Sequence, residues 1–182
     1  EIMLAPKFGI EPNGAQVHFA QVMERIRRVQ ADISHVDSVW RYAEAGVDVF
    51  LGEGAFTGPD TLEVGGERLR FKKAVIATGS RPFHPPIPGL KEAGFLTNET
   101  IWNLTEQPKR LAVIGGGPIG CELAQAFRRL GSEVILFHNA GHILNREDAD
   151  AAEIVQNAFL REGVQLVLNS QVTEVTRLNG EK

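Results

Sequence analysis

Apolar and polar residues recur along the chain with two periods, and each period predicts a type of element. Apolar residues recur every three or four positions through 16–33 and 148–161, which predicts two long amphipathic helices. Shorter helices are expected at 39–45 and at 98–104, the latter behind Asn98 as a candidate N-cap. The pattern therefore predicts helices of different lengths separated by extended segments.

Short alternating or wholly apolar runs predict the strands. Residues 61–64 and 68–71 alternate around Gly65-Gly66, which is typical of a hairpin with a two-residue turn. The run 74–77 is apolar throughout, as in a strand that is buried on both faces. Further strands are expected at 47–51, 164–168 and 171–176. Sheet segments are thus predicted in both halves of the chain.

The stretch 111–137 predicts a strand, a glycine-rich turn, a helix and a second strand in unbroken order. The apolar strand 111–114 is followed by GGGPIG, which has the spacing GxGxxG. A lone GxGxxG is weak evidence, because glycine-rich turns are common, but here all the flanking elements are present. The candidate cofactor-binding residues are Gly115, Gly116, Gly117, Pro118, Ile119 and Gly120. We therefore predict a dinucleotide site rather than a merely structural turn.

Each residue type in this turn has a physical reason. Gly115 permits the tight turn, Gly117 has no side chain to hold a pyrophosphate away, and Gly120 lets the helix lie close to the strand. Pro118 suits the first helical turn, where its missing N–H is no loss. The remaining N-terminal N–H groups and the helix dipole attract an anion.

Composition narrows the possible partners. The 182 residues are 43% hydrophobic with a formal net charge of −4, which fits one large domain or two small ones. The basic residues form no stripe for nucleic acid, and we interpret Arg25, Arg27 and Arg28 as a solvated helix face. No apolar run is long enough to cross a membrane, and nothing resembles a signal peptide. A cytoplasmic location is the default expectation.

The chain contains one cysteine, Cys121, so neither an internal disulfide nor a thiol pair is possible within it. Its place in a first helical turn is compatible with a reactive thiol, but a small packing residue is the preferred interpretation. His138 and His142 have no further partners of metal-binding type at suitable spacing, so no metal site is predicted.

Four motifs occur in a recognisable order. They are GEGAFTGPDTLEV at 52–64, AVIATGSRP at 74–82, PPIPG at 85–89 and VIGGGPIGCELAQAF at 113–127. Together they resemble the pyridine nucleotide-disulfide oxidoreductases, with wording nearest to the mercuric reductase and dihydrolipoamide dehydrogenase branch. The resemblance implies an α/β, Rossmann-like three-layer fold that binds FAD and NAD(P).

The resemblance also implies a domain organisation. Residues 1–88 match the later part of an FAD-binding domain, and residues 89–182 match an NAD(P)-binding domain that is nearly complete but truncated at its C-terminus. The proline-rich connector at 82–89 marks the boundary. The family's FAD phosphate loop, redox cysteine pair, later FAD-binding aspartate motif and dimerisation domain have no counterpart here. We therefore expect a central segment of a homodimeric enzyme, inactive when isolated.

The matching positions carry the family's roles as expectations. Gly54 and Ala55 correspond to the place where the family's backbone passes the adenine of FAD. Residues Ala77, Thr78 and Gly79 correspond to its passage beside the flavin nucleotide. Glu122 corresponds to a glutamate that pairs with a lysine beside the flavin ring. Without the resemblance, ordinary tight turns and a favourable contact between Glu122 and the helix dipole remain open.

The choice between NADH and NADPH depends on the end of the second strand. An acidic residue there usually holds the ribose hydroxyls, whereas basic residues favour the 2′-phosphate of NADPH. Here the position is His138, followed by Asn139, and His142 and Arg146 bring partial or full positive charge nearby. NADPH is slightly favoured over NADH.

These observations support an FAD-dependent oxidoreductase in which NAD(P)H reduces the flavin and electrons then reach a disulfide, a metal ion or a similar acceptor. The alternative is a non-catalytic module that binds or senses NAD(P), because no redox thiol pair lies in the sequence. A dehydrogenase without flavin fits poorly, since 52–55 and 77–80 would then have no role.

Overall fold

The computed structural model describes Gly14 and residues 16–177, which divide into two compact units. The parallel unit comprises residues 16–24 and 83–177, and the hairpin unit comprises residues 25–82. The outer ends of both predicted domains, at 1–13, 15 and 178–182, lie outside the described residues.

Both units contain helices and strands. The helices are α1 (Phe19–Ser34), α2 (Val39–Glu44), α3 (Leu90–Ala93), α4 (Pro118–Leu130) and α5 (Ala149–Glu162), with a 3-10 turn at Ile101–Asn103. The strands are β1 (Ala55–Gly58), β2 (Thr61–Val64), β3 (Glu67–Arg70), β4 (Arg110–Ile114), β5 (Glu133–Phe137) and β6 (Gln165–Val167). This mixed content confirms the predicted α/β class.

The parallel unit is built on the sheet β4-β5-β6, whose strands all run in one direction. Helix α4 connects β4 to β5 and helix α5 connects β5 to β6, which is the crossover that parallel strands require. Leu136 of β5 and Ala124 of α4 are fully buried, and Phe159 of α5 is 1% exposed. The predicted strand, turn, helix and strand of the nucleotide unit are therefore confirmed.

Helix α4 ends where the sequence predicts. Gly131 adopts the left-handed conformation with φ 109°, and its N–H donates to the carbonyl of Arg128. The N–H of Ser132 donates to the carbonyl of Phe127, so the last turn of the helix is closed by the residues that follow it.

The hairpin unit contains the antiparallel sheet β1-β2-β3. Gly65 and Gly66 connect β2 to β3 with φ values of 59° and 85°, as a two-residue hairpin turn requires. The hairpin prediction is confirmed, and β1 adds a strand that the periodicity did not indicate.

Three strand predictions are wrong. Residues 47–51, 74–77 and 171–176 have no strand assignment, and no strand of the described chain pairs with them. Val75 is 91% exposed and Ile76 is 72% exposed, so the run expected to be buried on both faces is bare. An apolar run forms a strand only where a neighbouring strand satisfies its N–H and C=O groups.

The helix predicted at 98–104 is also wrong, because only the 3-10 turn at Ile101–Asn103 forms. The hydroxyl of Thr100 accepts a hydrogen bond from the N–H of Thr97, at 2.9 Å. Such local side-chain bonds offer the backbone an alternative to a helix.

The helices of the described residues include none with the length and apolar character that a membrane span requires.

Candidate functional site

The glycine-rich loop lies between the C-terminal end of β4 and the N-terminus of α4. The N–H of Gly115 donates to the carbonyl of Phe137, the last residue of β5, at 2.9 Å. Gly117 is the N-cap of α4 with an extended backbone, and Pro118 occupies the first helical turn. The loop is therefore anchored to the sheet on one side and opens into a helix on the other.

The three fingerprint glycines are required for different reasons. Gly115 has φ +112°, which residues with a side chain rarely adopt. A Cβ on Gly120 would overlap the carbonyl oxygen of Gly115, so the start of α4 lies against the loop's own backbone. A Cβ on Gly117 would meet nothing within 4 Å, which leaves room for a ligand beside that residue.

Three N–H groups at the loop have no acceptor among the described residues. Within the described chain, the N–H groups of Gly117, Ile119 and Gly120 make no hydrogen bond, while the N–H of Cys121 donates to the carbonyl of Gly117. Ile119 is 54% exposed, so this end of α4 faces solvent. Unpaired N–H groups and the helix dipole together attract an anion such as a diphosphate.

His138 lies beneath the loop rather than beside it. The side chain is 9% exposed, and its Nδ1 accepts a hydrogen bond from the N–H of Gly116 at 3.1 Å. A Cβ on Gly116 would approach Cγ of His138 to 2.9 Å, so this middle glycine is required by the imidazole. Sequence reasoning missed that requirement, because GxGxxG leaves this position free and nothing in the sequence pairs it with His138.

Asn139, the second residue predicted at the ribose, is exposed, whereas His138 points inward. Arg146 is also exposed, and His142 is half-buried with its Nδ1 2.8 Å from the carbonyl oxygen of Ile143. A ribose contact through His138 or Asn139 stays a prediction. Neither position 138 nor position 139 carries a carboxylate.

Cys121 is a buried thiol that faces the loop from α4. Its Sγ lies 3.5 Å from the carbonyl oxygen of Gly116. Burial, with a smaller contribution from the charge of Glu122, raises the pKa of the Cys121 thiol to about 11. The thiol therefore stays protonated at neutral pH and acts as a packing residue. Glu122, one position further on, is exposed.

The residues expected beside FAD lie in the hairpin unit. Gly54 and Ala55 are exposed at the start of β1, and Ala77, Thr78 and Gly79 are exposed in a segment without secondary structure. Among the described residues, no hydrogen bond connects 77–79 with 54–55. Gly79 has φ +67° and open space around it, which is compatible with close backbone approach to a ligand. A complete FAD site is not assembled from these two segments alone.

Known proteins are similar to this chain in sequence and in fold. The family profile described as pyridine nucleotide-disulphide oxidoreductase matches residues 7–182. The mercuric reductase of Lysinibacillus sphaericus is 34% identical over 89% of this chain and 30% of its own length. The dihydrolipoyl dehydrogenase of Mycoplasma pneumoniae is 33% identical over 93% of this chain and 38% of its own.

A solved structure agrees with these sequence relatives. The crystal structure of LpdA from Mycobacterium tuberculosis superimposes with a TM-score of 0.78 at 26% identity, covering 97% of this chain and 40% of that one. The chain thus spans about a third of the length of the relatives it matches. Since the family profile covers nearly all of the sequence, the chain belongs to the pyridine nucleotide-disulphide oxidoreductase family.

Proposed function

We propose that the loop 115–120 holds the diphosphate of NADPH or NADH and presents the nucleotide to FAD in the whole protein. The observation that carries this proposal is the set of free N–H groups on Gly117, Ile119 and Gly120 at an open helix N-terminus. When both cofactors are bound, NAD(P)H supplies a hydride to the flavin, and the electron pair passes to a disulfide, a metal ion or a similar acceptor.

The rest of the chain contributes to FAD binding in this proposal. Residues 1–88 form part of the FAD domain and residues 89–182 most of the NAD(P) domain. The backbone of 54–55 and 77–79 approaches FAD, and Glu122 pairs with a lysine outside these residues. The name of the mercuric reductase relative supports a metal ion as acceptor, and the name of the dihydrolipoyl dehydrogenase relative supports a dithiol–disulfide couple as redox partner. A homodimer and a cytoplasmic location stay predictions for the whole protein.

NADPH is the slightly favoured nucleotide. The two positions after β5 are His138 and Asn139, so no carboxylate there repels a 2′-phosphate. Arg146 is exposed in the same segment and supplies a positive charge.

Titration calorimetry with NADPH and NADH tests the proposal on the 182-residue chain. Gly117→Ala is expected to weaken both nucleotides by at least tenfold, because its methyl group enters the space proposed for the diphosphate. Its melting temperature should stay near that of the wild type, since the new Cβ contacts nothing within 4 Å. Gly58→Ala is the control, because its Cβ would make only ordinary contacts with Thr61. Equal affinities of Gly117→Ala and wild type would contradict the proposed site.

Turnover is a separate expectation. The chain has one cysteine, and that thiol is buried, so residues 1–182 contain no redox pair. We expect the purified segment, supplied with FAD and NADPH, to give no sustained reduction of an artificial dye. Sustained reduction would show that the segment is catalytically sufficient.

A non-catalytic module that binds or senses NAD(P) is the second candidate, favoured by the intact loop combined with the missing thiol pair. The intact polypeptide distinguishes the two. A cysteine pair and a second glycine fingerprint before residue 1 would favour the enzyme, and a chain that stops soon after residue 182 would favour the module.

A further inference from the structure

We infer that His138 is a positioning residue that holds the phosphate loop in its binding shape, and that NADPH and NADH depend on it equally. The inference rests on the proposed function, because it assumes that this loop receives the nucleotide. It assigns His138 a role different from contact with the ribose or the 2′-phosphate.

The hydrogen bonds of His138 fix its protonation. Nδ1 accepts the N–H of Gly116, so Nδ1 carries no proton, and Nε2 lies 3.3 Å from Oδ1 of Asn145. An amide oxygen only accepts hydrogen bonds, so the contact places the proton on Nε2. The imidazole is therefore neutral and buried, and each of its two nitrogens already makes a hydrogen bond. It has no donor left for a phosphate.

The carbonyl of Gly116 is held from the opposite side. The N–H of Leu144 donates to it at 2.7 Å, and Cys121 Sγ lies at 3.5 Å. Leu144 has φ 53°, a left-handed conformation that is uncommon for a residue with a side chain. Such conformations persist only where the surrounding structure holds them, and they concentrate at functional sites. The segment after β5 thus holds both the N–H and the C=O of Gly116 by hydrogen bonds.

These hydrogen bonds determine the direction of the N–H of Gly117. The carbonyl of Gly116 and the N–H of Gly117 belong to one planar trans peptide, so they point in opposite directions. With the carbonyl directed at Leu144, the N–H of Gly117 is directed away from that residue, and the position of its Cβ is open. His138 fixes the preceding peptide in the same way. The loop is consequently shaped before a ligand arrives.

A matched pair of variants tests the role. His138→Leu is close to histidine in size but removes the acceptor for the Gly116 N–H, whereas His138→Asn is smaller and can offer its Oδ1 in place of Nδ1. Calorimetric titration of the 182-residue chain should show that His138→Leu weakens NADPH and NADH by the same factor, roughly tenfold, because a buried N–H loses its partner. His138→Asn should recover most of the affinity. His84→Asn, at an exposed histidine packed on Phe95, is the control.

Each outcome decides something different. A loss confined to NADPH would overturn the inference in favour of a 2′-phosphate contact, and unchanged affinities in His138→Leu would overturn it outright. If the wild type binds neither nucleotide, the proposed function fails instead.

Nitrogen NMR of histidine-labelled wild type then tests the geometry without any variant. The inference expects an unprotonated Nδ1 and a protonated Nε2 for His138 at neutral pH. A protonated Nδ1 would overturn it, whether or not nucleotide binds.

Discussion

The parallel unit and the hairpin unit both contain apolar runs that predict strands, but the two units cover them differently. Leu136 of β5 is fully buried between paired strands and helices α4 and α5 flank its sheet, whereas Val75 of the hairpin unit is 91% exposed. In the parallel unit, β4 and β5 are each followed by a helix that returns the chain to the sheet. The run at 74–77 has no partner strand in the described chain. An apolar pattern therefore indicates side chains that are stable when buried, but only neighbouring elements can bury them.

The largest expected effect is on stability. Leu136→Ala leaves a cavity at a fully buried site and should lower the free energy of unfolding by about 2–5 kcal/mol. Val75→Ala removes exposed atoms and should change it by no more than about 0.5 kcal/mol. Each unit has one tryptophan. Leu136→Ala is measured by urea unfolding in a Trp40→Phe background, where Trp102 reports on the parallel unit. Val75→Ala is measured in a Trp102→Phe background, where Trp40 reports on the hairpin unit.

The comparison would be broken by similar effects of the two substitutions. A large loss in Val75→Ala would mean that the 74–77 run is covered in solution. A small loss in Leu136→Ala would mean that the parallel sheet tolerates a cavity by collapsing around it.

Thiol labelling sharpens the same comparison. In a Val75→Cys variant, the new thiol is expected to react with iodoacetamide on the order of 100-fold faster than Cys121 at pH 7.5. Burial raises the pKa of Cys121 to about 11. At a pH below the pKa of a thiol, each further pH unit lowers the thiolate fraction about tenfold. Mass spectrometry of the two tryptic peptides gives both rates in one sample, and urea-unfolded protein is the control in which the rates should converge.

Sequence alone predicts the part of the fold that local chemistry determines. The turn at Gly65-Gly66, the stop at Gly131 and the whole unit from β4 to β5 depend on residues close in sequence, and all three are confirmed. The strands expected at 47–51 and 74–77 depend on distant partners. Those two predictions are wrong because periodicity carries no information about whether a partner strand is present.

In the candidate site, too, contacts between residues close in sequence were predictable and contacts between distant residues were not. The requirement for Gly120 follows from helix-to-loop contact a few residues away, and the fingerprint spacing already encodes it. The hydrogen bond between Gly116 and His138 joins residues that lie 22 positions apart, across α4 and β5. The sequence indicated His138 as a residue of the site, but its inward orientation depends on hydrogen bonds to Gly116 and Asn145 in the folded chain.

The smallest expected effect concerns one ion pair in each unit. In the parallel unit, Nη2 of Arg129 lies 2.7 Å from Oε1 of Glu162, with side chains 57% and 26% exposed. In the hairpin unit, Nη2 of Arg70 lies 2.6 Å from Oδ2 of Asp60, with side chains 81% and 44% exposed. Exposed ion pairs contribute little because water and salt screen them. Both pairs are therefore expected to matter less than burial does.

Arg129→Met should lower the free energy of unfolding at pH 7 by at most about 1 kcal/mol, and Arg70→Met by less, because its pair is more exposed. The hydrogen bond from Arg129 lowers the pKa of Glu162 from its ordinary 4.5, against the opposing effect of burial. Because the folded-state pKa is the lower one, this stabilisation is complete above the unfolded value and is lost as pH falls through the folded value. Urea unfolding at pH 7 and at successively lower pH should therefore show wild type and Arg129→Met converging below pH 4.5. A difference that persists in acid would assign the effect of Arg129 to packing of its aliphatic stem rather than to charge.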